Sequence, residues 1–218
     1  MLFGFSCKKS GTGNNATADV FVRSFLDTSK VISYNTVFSV TFIGGITAVT
    51  VEGPGIPPLS LIDHFGDGTA FFKDTSMAPG GGYNHTPPKT GIYTFHVTFN
   101  DGSEKDFTNT LSSTILLPPV IDSLYKKPFG LDQSVRFAWE PVVGAQYYQI
   151  RMSCGQNVIQ DWGLNMTPGS VLAYERLIDN FSNYLPGTIL FEIRAVLYEP
   201  GNENYAQSIS QSSLPIDL

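Results

Sequence analysis

From residue 18 onward the apolar positions come in short alternating runs. Phe38, Val40 and Phe42 are separated by Ser39 and Thr41, and Tyr93, Phe95, Val97 and Phe99 by Thr94, His96 and Thr98. A period of two means strands with one face buried and one wet. Asn100-Asp101-Gly102 offers the residues that tolerate positive φ in a hairpin turn, so residues 105–111 are expected to return as the partner strand. Residues 53–58 and 77–88 are dense in Gly and Pro and predict loops. Leu116-Leu117-Pro118-Pro119 follows; paired prolines are stiff and extended and cannot donate to a sheet ladder. The chain is therefore expected to divide there, into residues 18–117 and 118–218. In the second block the strands are expected at 134–139, 147–154, 157–162, 170–176, 188–198 and 206–212, with one helical turn at 177–183. Strands never alternate with long helical patterns, which argues against a doubly wound or barrel enzyme scaffold and for an all-β chain of two consecutive sandwiches.

Composition narrows the partners. Thirteen basic against nineteen acidic side chains leave a net charge of −6, so no cationic field exists to displace counterions from a phosphate backbone. Nucleic acid is not expected as a partner. Charged residues make up 15% of the chain against roughly 25% in an average domain, a profile that suits short strands and many turns. Of two cysteines, Cys154 ends an expected strand and reads as a small, partly buried hydrophobe.

Cys7 stands in a different context. Leu2-Phe3-Gly4-Phe5-Ser6-Cys7-Lys8-Lys9-Ser10, followed by a polar run rich in Gly, Asn and Thr to residue 17, resembles the end of a bacterial lipoprotein signal peptide. The resemblance implies that Cys7 is the lipidated residue, that residues 1–17 are signal remnant and tether, and that the printed start lies inside the signal. It further implies a bacterial cell envelope, as an outer-membrane lipoprotein facing the periplasm or the cell surface.

Two longer stretches resemble known modules. Phe65-Gly66-Asp67-Gly68-Thr69, then Tyr83-Asn84-His85-Thr86 and Gly91-Ile92-Tyr93-Thr94-Phe95-His96-Val97, resemble PKD (polycystic-kidney-disease) domains, with Asp63-His64 standing where that family favours Trp-Asp. Residues 119–214 resemble fibronectin type III. Trp139 and Pro141 close its second strand, Gly144-Ala145 with Tyr148 and Ile150 open the third, and Leu185-Pro186-Gly187-Thr188 with Phe191, Ile193 and Ala195 fit the sixth. Ile189 and Leu190 occupy the place of the corner tyrosine. The fold these resemblances imply is two consecutive immunoglobulin-like β-sandwiches, with Trp139 in the core.

Chemistry is sparse. His64, His85 and His96 lack the close pairing of zinc ligands, and alternation points His96 to solvent. No Gly-x-Ser-x-Gly elbow occurs, nor any Gly-rich loop ending in Lys-Ser/Thr. No catalytic residue and no cofactor are expected. Asp63 and Asp67 are weak candidates for a cation and stronger ones for closing a turn on backbone N–H groups. Trp162, Tyr83, Tyr198 and Tyr205 are candidates for ligand contact, since sandwiches present aromatic rings on which sugars stack. The expected function is a non-catalytic, envelope-anchored binding, adhesion or spacer protein. Its partners would be an envelope or extracellular protein or a glycan, with the membrane reached through Cys7. The alternative is a carbohydrate-binding accessory protein of a glycan-uptake or degradation system; a hydrolase comes last.

Overall fold

The computed structural model describes residues 15–26, 30–74, 84–129, 132–160, 173–178 and 187–217. In the first half the strands are β1 (Thr17–Leu26), β2 (Ile32–Thr41), β3 (Ile46–Gly53), β4 (Ile56–Ser60), β5 (Ile62–Asp63), β6 (Ala70–Asp74), β7 (Gly91–Phe99) and β8 (Glu104–Leu111). They order as β1-β2-β6-β5 against β4-β3-β7-β8, which is the A-B-E-D and C′-C-F-G partition of an immunoglobulin-like sandwich. The two-residue period puts Val20 and Val22, Phe38 and Val40, and Tyr93, Phe95, Val97 and Phe99 into one core, all nearly inaccessible to solvent. The β7–β8 hairpin turns at Asn100-Asp101-Gly102 as its residues dictate, with Gly102 at φ 78° and the Asp101 carboxylate accepting the Ser103 N–H.

One expectation for this half is corrected. Residues 53–58 are a tight turn at Pro54-Gly55 inside a hairpin, and the prolines 57 and 58 lie in β4. That strand is at the edge of its sheet, the one place where missing N–H donors cost little.

The second half contains β9 (Ile121–Phe129), β10 (Asp132–Trp139), β11 (Tyr147–Cys154), β12 (Asn157–Gln160), β13 (Ala173–Ile178), β14 (Thr188–Glu199) and β15 (Asn202–Asp217). A three-stranded sheet, β13-β10-β9, faces the four strands β12-β11-β14-β15. Between them Val135, Phe137, Trp139, Tyr148, Ile150, Met152, Ile189, Phe191 and Ile193 form a separate core. Trp139 lies in it, against Phe137 and Tyr148, and the Tyr148 hydroxyl accepts the Val142 N–H at 2.7 Å. Cys154 is partly buried and packs against the same core. The helical turn expected at 177–183 is not seen where it can be checked: residues 177 and 178 continue β13, paired antiparallel with β10, so cross-strand bonding overrides a weak local preference. The fold is all-β, and no helix occurs among the described residues.

The two sandwiches share a sheet. β15 runs past its hairpin partner and pairs in parallel with β1, from Val22 opposite Ser208 to Phe25 opposite Gln211. This joins four strands of each half into one eight-stranded sheet. Each of the two strands would otherwise be an exposed edge, with a row of unpaired N–H and C=O groups. The connection between the halves is pinned to this seam: Leu116 donates its N–H to the Ser208 hydroxyl at 2.9 Å and accepts the Ser24 hydroxyl at its carbonyl. Its side chain belongs to the second core, and Pro118 and Pro119 are buried.

Candidate contact sites

The loop after β5 is built by its aspartates. Asp63 accepts the Gly66 N–H at 2.9 Å on one oxygen and the Gly68 N–H at 2.8 Å on the other. Asp67 accepts both the N–H and the hydroxyl of Thr69, which hold its carboxyl below the usual range. Gly68 closes the loop on the sandwich: its carbonyl accepts the Ile46 N–H, its φ is +75°, and a Cβ there would lie 2.6 Å from the Ile46 carbonyl oxygen. The two candidate cation ligands thus share one turn, with both oxygens of Asp63 and one of Asp67 engaged within it, and no cluster of three His, Cys, Asp or Glu suited to a metal occurs among the described residues.

What this turn presents is apolar. Phe65 is 69% exposed, with the His64 ring edge-on at 4.7 Å, and Ile62 beside it is 62% exposed. Ile43, 99% exposed, is on the β2–β3 turn, which is tied to the same loop by Phe42 N–H to Thr69 O and Ile46 N–H to Gly68 O. Sequence reasoning took Phe65 only as part of a module signature. The available signal was a large ring inside a Gly-Asp-Gly turn, where no neighbouring strand can cover it.

Of the aromatic candidates, Tyr198 is half-buried and packs edge-on against Tyr147 at 5.6 Å, while its N–H donates to the Gln146 side chain. Tyr205 is half-buried, with its hydroxyl 3.4 Å from the Thr17 hydroxyl oxygen of the other sandwich. Cys7, Tyr83 and Trp162 lie outside the described residues.

Tyr205 marks the end of the seam, where polar groups gather that sequence reasoning did not single out. Asp19 on β1 is only 8% exposed; burial, and next the charge of Glu199, push its carboxyl up to about 7. Glu199, at the tip of β14, accepts the Asn109 side-chain N–H at 2.9 Å. One oxygen of Asp19 and the amide oxygen of Asn109 are buried without a hydrogen-bond partner among the described residues.

The three histidines keep separate surroundings. His64 packs on Phe65 and Phe72, and His85 Nδ1 lies 3.2 Å from the Ser33 hydroxyl. His96 stands on the outer face of β7 with Asp106 at 2.7 Å and Glu52 at 3.4 Å; the bond to Asp106 leads in raising its pKa above the ordinary value.

Strand order and layering thus define a protein of two immunoglobulin-like β-sandwiches joined through one sheet. No protein-family model and no curated protein matches the chain. Among solved structures, the human OSCAR ligand-binding domain aligns over 91% of this chain and 98% of its own, at 12% identity and a TM-score of 0.28, too low for any conclusion to rest on it.

Proposed function

We propose that the protein is a non-catalytic binding and spacing module of a bacterial cell envelope, tethered through a lipidated Cys7, that meets a partner protein with the apolar end of its first sandwich. The observation that carries the contact is the exposure of Ile43 and Phe65 on two hydrogen-bonded loops and of Ile62 on the adjoining edge strand β5. Single exposed apolar residues are ordinary, whereas several together, rimmed by polar groups such as Asp63 and Asp67, mark interaction surfaces. The strand orders support the finer reading of a PKD-like module followed by a fibronectin type III-like one with its three-plus-four arrangement. The shared sheet supports spacing, because a strand pair holds the modules in one relation where a bare linker would not.

The test is co-sedimentation of the protein with host envelope fractions and with purified polysaccharides. Phe65→Ala combined with Ile62→Ser should lower retention on envelope protein several-fold while each substitution changes the unfolding free energy by no more than about 0.5 kcal/mol, since both side chains are exposed. Unchanged retention would remove this end as the contact. Retention on protein-free polysaccharide would instead favour a carbohydrate-binding accessory protein of glycan uptake or degradation. The anchor is checked separately: Cys7→Ser should shift the protein from the detergent to the aqueous phase, and equal partitioning would sink it.

A further inference from the structure

We propose that a recess at the opposite end of the seam from Tyr205 binds a small hydroxylated carboxylate, of the size of one sugar acid. There β1 stops at Leu26 while β15 continues to Asp217, and the recess beside them has a volume of about 280 Å³. Ligand sites generally begin near roughly 300 Å³, so the space suits a single small molecule. Both sandwiches supply its walls: Arg23, Phe25, Lys30 and Asn35 come from the first, Gln211 and Ser213 from the second. Register sets the side chains on one face. Arg23 stands opposite Asn35 of β2, and Phe25 opposite Gln211 of β15, so these four point away from the core that takes Val20 and Val22.

The charges select the ligand. Lys30 is exposed and has no carboxylate partner among the described residues. Arg23 pairs with Asp74 through one nitrogen at 3.1 Å, which leaves the rest of its fork for a second anion. Two cations against one carboxylate leave a surplus of one positive charge, in a chain whose net charge is −6. That surplus matches a monoanion, and the planar guanidinium matches a carboxylate, whereas a phosphate dianion would be only half neutralised and repelled by Asp74. The uncharged walls call for hydroxyls. Asn35 is 5% exposed, and its amide oxygen has no hydrogen-bond partner among the described residues. A ligand hydroxyl supplies the donor that this amide lacks. Gln211 differs, since its oxygen accepts the Arg194 Nε–H and its N–H donates to Glu192, both at 2.9 Å, which fixes it as a wall. Half-buried Phe25 adds apolar surface for the C–H face of a sugar ring. None of these residues belongs to the loops of Ile43 and Phe65, so the site does not depend on the contact proposed for that end.

Calorimetric titration of the intact chain with D-glucuronate tests the recess, with D-glucose and acetate as probes that lack the carboxylate and the hydroxyls respectively. Glucuronate should bind once per chain, and each of the other two at least about tenfold more weakly. Arg23→Gln should weaken glucuronate binding at least about tenfold, and Lys30→Glu at least several-fold, because hydrogen bonds to charged groups are the strong ones. Phe65→Ala should leave it unchanged, which separates failure here from failure of the apolar contact. If Arg23→Gln does not fold, Lys30→Glu on the exposed turn carries the comparison. No binding of glucuronate, or binding untouched by these substitutions at the recess, overturns the proposal. So does acetate or glucose binding as tightly as glucuronate, since the first would reduce the recess to a nonspecific anion site and the second would remove charge from recognition.

Discussion

At the scale of single residues, Asp19 and His96 both tie stability to acidity. Asp19 titrates near 7 in the folded chain against an ordinary 3.8, so between about pH 4 and 7 the folded state holds a proton that the unfolded state has released. Stability must then fall as pH rises through that window, by on the order of 4 kcal/mol. His96 acts in the same direction and more weakly. Its raised pKa means that the bonds to Asp106 and Glu52 contribute fully below its unfolded value of 6.5 and are lost as pH climbs through the folded one. On an open sheet face such pairs are worth less than about 1 kcal/mol. Denaturant midpoints measured below and above this range should slope downward for wild type, nearly flatten for Asp19→Asn, and keep most of their slope for His96→Gln. A wild-type profile flat across the window would refute the account of Asp19.

At the scale of elements, β15 separates two kinds of buried serine. Ser208 accepts the Leu116 N–H, whereas the Ser210 hydroxyl, also fully buried, has no partner among the described residues. Removing the first leaves a buried donor orphaned; removing the second deletes an unsatisfied group. Ser208→Ala should therefore cost about 1–3 kcal/mol, while Ser210→Ala should be neutral or stabilising. Equal losses in urea denaturation would mean that the seam depends on packing of β15 against β1 and not on the pinning of Leu116. The same strand shows how an element can exceed its local signal. Alternation marked 206–212, yet the strand runs from Asn202 to Asp217, because its far reaches are paired with β14, from Asn202 opposite Glu199 to Asp217 opposite Thr188.

At the scale of the whole molecule, the chain's own pattern determined the all-β class, the core positions of Phe38, Val40, Tyr93, Phe95, Val97 and Phe99 and the β7–β8 hairpin, while the core position of Trp139 followed from the likeness of its segment to fibronectin type III. Period-two alternation and turn chemistry are local properties, written into a few neighbouring residues and legible there. The Asp63 and Asp67 turn was half legible: the residues announced a backbone-closed loop, but the exposure of Phe65 at its tip depends on how far the neighbouring strands reach. The parallel pairing of β1 with β15 left no local trace. It joins residues roughly as far apart as the chain allows, and each strand alone reads as an ordinary edge. For the same reason nothing in the sequence singled out Asp19, Asn109 or Glu199. Only the tertiary structure, by docking two edges, gave Glu199 its bond from Asn109 and Asp19 the burial that shifts its acidity.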